Sequence, residues 1–404
     1  MGGLLQISYV RDMRWYITCI LLFLSITIFA QDELVSDESP KFTAKGYLKN
    51  MSSFNWYDSL YFENLVHNRI NLAWYPSSQF TAYLEFRNRV FVGDFVKKIP
   101  NYGDVVNSNN DFFKLSYNVI ETESVIVNMM IDRAYVSWVK NDWEIKLGRQ
   151  RINWGVNLAW NPNDWFNAYS FFDFDYEERP GSDAFRVSYY TGVASSIEVA
   201  AKIAEDMDHF VAAGMWKINK GTYDIQFLGG VANGDLALGA GWAGNLKGAG
   251  FKGEFTYFEK VVETEVNAFY DRMFLGALSV DYSFLNSLYL NGSIMFNSNG
   301  SNDPDFGFTL INQRIGGFTV RDLSPYYWSA FIQSGYQFSP LWFGGLSLIG
   351  YPGSTTFFIN PSVSYSIVEN LDLNVVGQLF FGDDAAGDYG SIAQSLFVRF
   401  KWSF

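Results

Sequence analysis

Charged side chains carry most of the chemistry open to this sequence. Residues 173–183 hold Asp173, Asp175, Glu177, Glu178 and Asp183 against the single Arg179. Arg87 and Arg89 are two apart, so an extended chain puts them on one face, and Arg133 follows on the next strand segment. Opposed across a water-filled opening, such patches set up a transverse field that sorts solutes by charge. Their plainer role is to solvate and cross-link an interior. Acid–base chemistry has little to work with, because there are two histidines, His67 and His209, and the lone cysteine is Cys19. His209 follows Glu205-Asp206-Met207-Asp208 and is the one candidate for a hydrolytic dyad. Two oxygen-rich stretches, Asn297, Asn299, Asn302, Asp303 and Asp305, and Asn107, Asn109, Asn110 and Asp111, lack EF-hand spacing and fit turn composition better. No Gly-rich phosphate loop follows a strand. The expectation is a non-enzyme with no cofactor and no metal site.

The elements that must position these charges are strands. Arg11 and Arg14 precede an apolar stretch ending at Ala30, which reads as a cleaved export signal over residues 1–30. Residues 31–41 are too short and polar to fold and read as a periplasmic tail. Without the signal the chain carries a net charge of −14, which argues against a nucleic-acid partner. Past residue 30 no apolar run approaches the ~20 residues of a membrane helix. Aromatics nevertheless make up 19% of the chain, which suits a wall of strands that cross in ~10 residues and show lipid every second side chain.

Alternation bears this out in segment after segment. Phe80, Ala82, Leu84 and Phe86 face away from Thr81, Tyr83, Glu85, Arg87 and Arg89, so a slip of one residue would put charges into lipid. The last strand alternates likewise, Leu396, Val398, Phe400, Trp402 and Phe404 against Ser395, Arg399, Lys401 and Ser403. About eighteen such segments (16 to 18) over residues 42–404 predict an all-β, transmembrane, antiparallel up-and-down barrel. Inward faces would carry Arg69, Arg87, Arg89, Arg133, Lys146, Arg186, Lys202, Lys252, Arg399 and Lys401 with Glu85, Glu144, Glu198, Asp224, Glu254, Asp281 and Asp372. One segment resists: with Ala134, Val136 and Trp138 outward, Asp132 points outward too. Short turns at 75–78, 140–142, 219–221, 244–246, 285–287, 339–340 and 369–370 alternate with long loops near 94–124, 152–184, 259–270, 297–325 and 382–391. All short turns would then lie on the periplasmic side and all long loops outside.

The densest motif is Gly148-Arg149-Gln150 followed by Asn153-Trp154-Gly155 at the end of a strand. It resembles a motif of porin-like outer-membrane proteins of the alginate-export type and related barrels. The resemblance covers about a tenth of the chain, carries over onto Arg149, Gln150, Asn153 and Trp154, and implies a substrate-conducting barrel without naming the solute. The C-terminal Phe404 likewise resembles the signature by which bacterial outer-membrane barrels are recognised by the assembly machinery. The resulting expectation is a bacterial outer-membrane channel, bathed in outer-membrane lipid, that passes small polar or charged solutes. Its constriction would set an inserted acidic loop (Asp173, Asp175, Glu177, Glu178) against Arg87, Arg89 and Arg133 on the wall. The rival readings are a surface-binding or assembly protein that uses the barrel as a loop platform and, behind it, an outer-membrane hydrolase.

Overall fold

A computed structural model describes residues 41–108, 111–173, 175, 179, 181–302, 304, 318–383 and 387–404. The expected signal, all but the last residue of the tail, and Glu177 and Glu178 lie outside them. The strands are β1 (Phe42–Trp56), β2 (Leu60–Trp74), β3 (Phe80–Gly93), β4 (Ser116–Glu121), β5 (Val125–Lys140), β6 (Trp143–Gln150) and β7 (Ser182–Gly192). There follow β8 (Ser195–Lys202), β9 (Val211–Lys220), β10 (Tyr223–Ala232), β11 (Asp235–Leu246), β12 (Ala249–Lys260) and β13 (Arg272–Ser283). The last are β14 (Leu288–Asn297), β15 (Trp328–Ser339), β16 (Trp342–Gly350), β17 (Phe357–Val368), β18 (Leu371–Asp383) and β19 (Tyr389–Ser403). Except that β3 joins β5 past β4, each pairs antiparallel with the next, and β1 meets β19 to close the circuit. Closure leaves no edge, the condition for a sheet in hydrocarbon. Phe404 completes the seam: its backbone exchanges two 2.9 Å hydrogen bonds with Gly46, and its ring lies where a side chain on Gly46 would stand.

The wall has eighteen strands, because β4 is not part of it. β3 pairs directly with β5, and the short β4 lies along the far part of β5, beyond the stretch that pairs with β6. The turns foreseen from sequence gather at the end that carries both ends of the barrel. The opposite end holds the long loops but also two tight connections, at residues 57–59 and 233–234, so the sorting of loops by length is less strict than expected.

Alternation fixes the two faces. Outward side chains such as Val136, Leu147, Phe185, Trp216, Phe227, Leu238, Ile332 and Phe400 are exposed and apolar, as a lipid-facing wall requires. Inward ones are buried and largely polar, among them Lys49, His67, Arg69, Asn128, Glu198, Glu254, Asn291 and Gln378.

The resisting segment is explained by a β-bulge. Glu85 opposes Arg133, yet Phe86 opposes Ile131, so Asp132 is the extra residue. A bulge lets two successive side chains share a face, and both Asp132 and Arg133 turn inward, which corrects the expectation that Asp132 points out. Asp132 is 4% exposed and binds two arginines, Arg69 and, at 2.9 Å, Arg87. Arg69 also reaches Glu85 at 2.6 Å.

Removing one partner of a buried ion cluster costs about 3–5 kcal/mol, because the remaining charges stay desolvated. Asp132→Ala is therefore expected to lower the free energy of urea unfolding in lipid vesicles by about that much, seen as an earlier midpoint, and Asp132→Asn by less. An unchanged midpoint would mean that the cluster does not brace the wall.

Candidate functional site

The motif at the end of β6 is where the chain leaves the wall for the interior. Gly148 has φ +114°, and a Cβ there would stand 2.3 Å from the Ala134 carbonyl, opposite the bulged strand. Only glycine takes that position without strain. Arg149 then grips Asp183 on β7 with two 2.8 Å hydrogen bonds and donates to the Phe113 carbonyl at 2.6 Å, and Gln150 donates to the Ala184 carbonyl at 3.0 Å. These contacts pin together the two roots of the loop 151–181.

Beyond its roots the loop crosses the interior and meets inward side chains most of the way around the barrel. The Trp154 indole donates to Glu198 on β8, and Gln226 on β10 donates to the Trp154 carbonyl at 2.7 Å. Glu254 on β12 accepts three loop amides, from Val156 at 2.6 Å and from Asn157 and Asn163 at 2.9 Å. Ser279 on β13 donates to Asn157 at 2.6 Å, and Thr256 receives the Trp165 indole at 3.2 Å. Further round, Phe171 packs edge-on against Phe331, and Phe172 against Phe358 and Phe380. Asp175 then binds Lys49 at 2.8 Å and Arg399 at 2.9 Å, and the Arg179 carbonyl accepts from Arg133 at 2.7 Å.

A loop without strands needs acceptors for its amides and burial for its aromatics. Glu254 supplies the first, and Ile152, Trp154, Trp160, Trp165 and Phe166 find the second, each at most 6% exposed. What the loop encircles is a polar cavity of about 370 Å³, lined by Arg151, Asn153, Gly155, Val156, Asn157, Leu158, Asn161, Tyr169 and Arg179. All nine belong to the loop itself. Arg179 lies over the face of the Tyr169 ring.

The residues singled out in the sequence are thus divided. Asn153 lines the cavity and Trp154 anchors its rim, whereas Arg149 and Gln150 hold the roots. Arg87 is tied to Asp132, Arg89 to Asn128 at 2.7 Å and the Val106 carbonyl at 2.9 Å, and Arg133 to the carbonyls of Asp132 and Arg179. None of the three lines the cavity. Asp175 meets Lys49 and Arg399 instead of them, and Asp173 is exposed. The sequence reading gave no role to Arg151, Asn157, Asn161 or Tyr169, and noted Arg179 only as the single cation of an acidic segment. Two of these are cationic where an acidic loop was expected, and the available cue was that alternation stops at Gln150, just before Arg151. His209 contacts Asp206 at 2.7 Å on an exposed turn.

No family model matches the chain, and no curated protein matches it, so the likeness to alginate-export barrels rests on the motif alone. Solved structures do resemble it. OccAB4 of Acinetobacter baumannii superposes with a TM-score of 0.56 at 11% identity over 91% of this chain and 99% of that one. OccK11 (OpdR) of Pseudomonas aeruginosa gives 0.57 at 8% identity, over 90% and 96%. The chain has the fold of outer-membrane porins. A second Acinetobacter structure, OccAB1, agrees, with a TM-score of 0.55 at 10% identity over 93% and 99%. At these identities the porin likeness speaks for architecture, and the cavity must be read from its own residues.

Two predictions concern the loop. Glu254→Ala removes the acceptor of three amides, so trypsin is expected to cut after Arg151 while the barrel stays folded; continued resistance would show that Glu254 does not hold the loop. Burial also pushes the Asp164 carboxyl, within the loop, up to about 8, against the pull of Arg151. An acid with a raised folded pKa adds stability that is whole below its unfolded value of about 3.9 and is lost as pH rises through the folded one. Tryptic cleavage of the loop is therefore expected to increase as pH climbs toward about 9. In Asp164→Asn the rise should be clearly smaller, and the same slope in that variant would assign the effect elsewhere.

Proposed function

We propose that the protein is a passive outer-membrane channel for small polar solutes, whose narrowest passage is the ring of loop residues that includes Arg151, Asn153, Asn157, Asn161, Tyr169 and Arg179. The observation that carries this reading is the cavity itself. A loop folded inward only to fill space would leave no polar void, whereas this one turns its tryptophans to the wall and its Arg151, Arg179, Asn153, Asn157 and Asn161 toward the opening. Strands of this number enclose a lumen wide enough for water, and the porin architecture of OccAB4 and OccK11 fits the same role.

The ring also suggests how solutes are chosen. Amide groups both donate and accept, so they can replace the hydration of a passing hydroxyl or carboxylate. The two guanidinium groups make the opening favourable to anions, while the loop's carboxylate Asp175 is held by Lys49 and Arg399. The constriction is then set by loop residues, and Arg87, Arg89 and Arg133 act by bracing the wall behind it. A barrel that serves only as a platform for its outer loops would conduct nothing.

Planar-lipid recording tests this. The purified protein is expected to open stepwise channels that favour anions, and Arg151→Glu with Arg179→Glu to shift the reversal potential in a salt gradient toward cation preference. The absence of channels, or an unmoved reversal potential, would refute the mechanism.

A further inference from the structure

Two guanidinium groups in the ring have no carboxylate partner among the described residues. On the wall, inward cations are held by acids: Lys49 and Arg399 by Asp175, Arg69 and Arg87 by Asp132, and Arg149 by Asp183. Arg151 and Arg179 both line the cavity, and neither comes within ion-pair distance of a described carboxylate. Arg151 gives an Nη2 hydrogen bond to Asn153, and its buried Nε has no partner. The Arg179 guanidinium lies over the Tyr169 ring and makes no hydrogen bond among the described residues. Burial and the neighbouring Arg151 charge push Arg179 down to about 10, as expected of like charges in one small space.

The acid near them does not restore neutrality. Asp164 is 1% exposed, and burial keeps it protonated up to about pH 8. The cavity therefore presents two positive charges and a surplus of N–H donors, an arrangement that is costly until a ligand completes it. A single carboxylate brings one charge and two oxygens, enough for one guanidinium fork. A linear dicarboxylate brings two charges but sets a carbon chain between them, and Asn153, Asn157 and Asn161 give that chain little apolar surface. A tetrahedral oxyanion gathers two charges and several acceptor oxygens at one centre, so both forks can close on it. Guanidinium–phosphate forks are among the strong charge-assisted bonds.

We propose that the cavity is a binding subsite for a tetrahedral dianion, the free phosphate ion or the phosphate group of a small solute, held between Arg151 and Arg179. The inference rests on the reading of the ring as the passage and narrows the solute that the passage takes.

Calorimetric titration of the purified full chain in detergent, just above neutral pH, is expected to show a site for inorganic phosphate and for sulfate, with acetate and succinate roughly tenfold weaker or more. Arg151→Gln and Arg179→Gln should each weaken phosphate binding roughly ten- to a hundredfold, in barrels shown intact by their resistance to unfolding in detergent. Arg151→Lys, which keeps the charge, should lose less. Glycerol 3-phosphate separates the two sources: binding tighter than that of inorganic phosphate assigns the site to phosphorylated solutes, and equal or weaker binding assigns it to the free ion. In planar-lipid recordings phosphate should lower the chloride current of the wild-type channel and not that of Arg151→Gln. No phosphate binding, acetate or succinate binding as tightly as phosphate, or binding unchanged in both glutamine variants would overturn the inference, even where anion-selective channels open. Phosphate binding to a protein that opens no channel would support the site and refute the passage.

Discussion

The interior of this barrel is organised around one carboxylate. Glu254 is fully buried, and it receives amides from two separate turns of the loop, at residues 156–157 and at 163. Charge-assisted hydrogen bonds of this kind are the strong ones, and these tie an irregular segment to a rigid strand. Once residues 156–163 are fixed, the tryptophans on either side are committed to the wall. The remaining side chains are left to surround the cavity, so its position follows from where Glu254 sits on β12.

The wall charges serve that arrangement at one remove. The bulge on β5 sends Asp132 into the lumen, where it gathers Arg69 and Arg87, and the adjoining Arg133 reaches the returning end of the loop at Arg179. On the neighbouring strands Lys49 and Arg399 hold Asp175. Inward charges that look available in a strand diagram are thus mostly engaged with one another, as expected where unpaired charges would be desolvated. The groups that line the cavity are those the loop itself supplies.

Much of the fold was legible in the sequence because period-two alternation is enforced by lipid on one side and water on the other. That constraint put Arg87, Glu85 and Glu254 on the correct face and gave the strand number. It failed at Asp132, since a single inserted residue breaks the period without any mark in composition. It placed residues 94–124 in a long loop and so had no place for β4, a short strand that lies against β5 outside the wall. The motif 148–155 was visible, but its meaning was not: Gly148 reads as a turn residue until its positive φ beside the bulge is known. The loop's net negative composition pointed to an acidic lining, yet side-chain direction in an irregular segment depends on contacts such as Asp175 with Lys49, more than a hundred residues away in the chain, and no local pattern encodes them.

The account stands on the claim that permeating ions pass through the ring of loop residues. Single-channel recording of Asn153→Cys in a Cys19→Ser background, with a charged, membrane-impermeant thiol reagent added during the trace, tests it most directly. A stepwise fall in current on modification, reversed by reductant, is the predicted result. Current that is unaffected by a cysteine shown by mass to be fully modified would place the passage elsewhere and contradict the account.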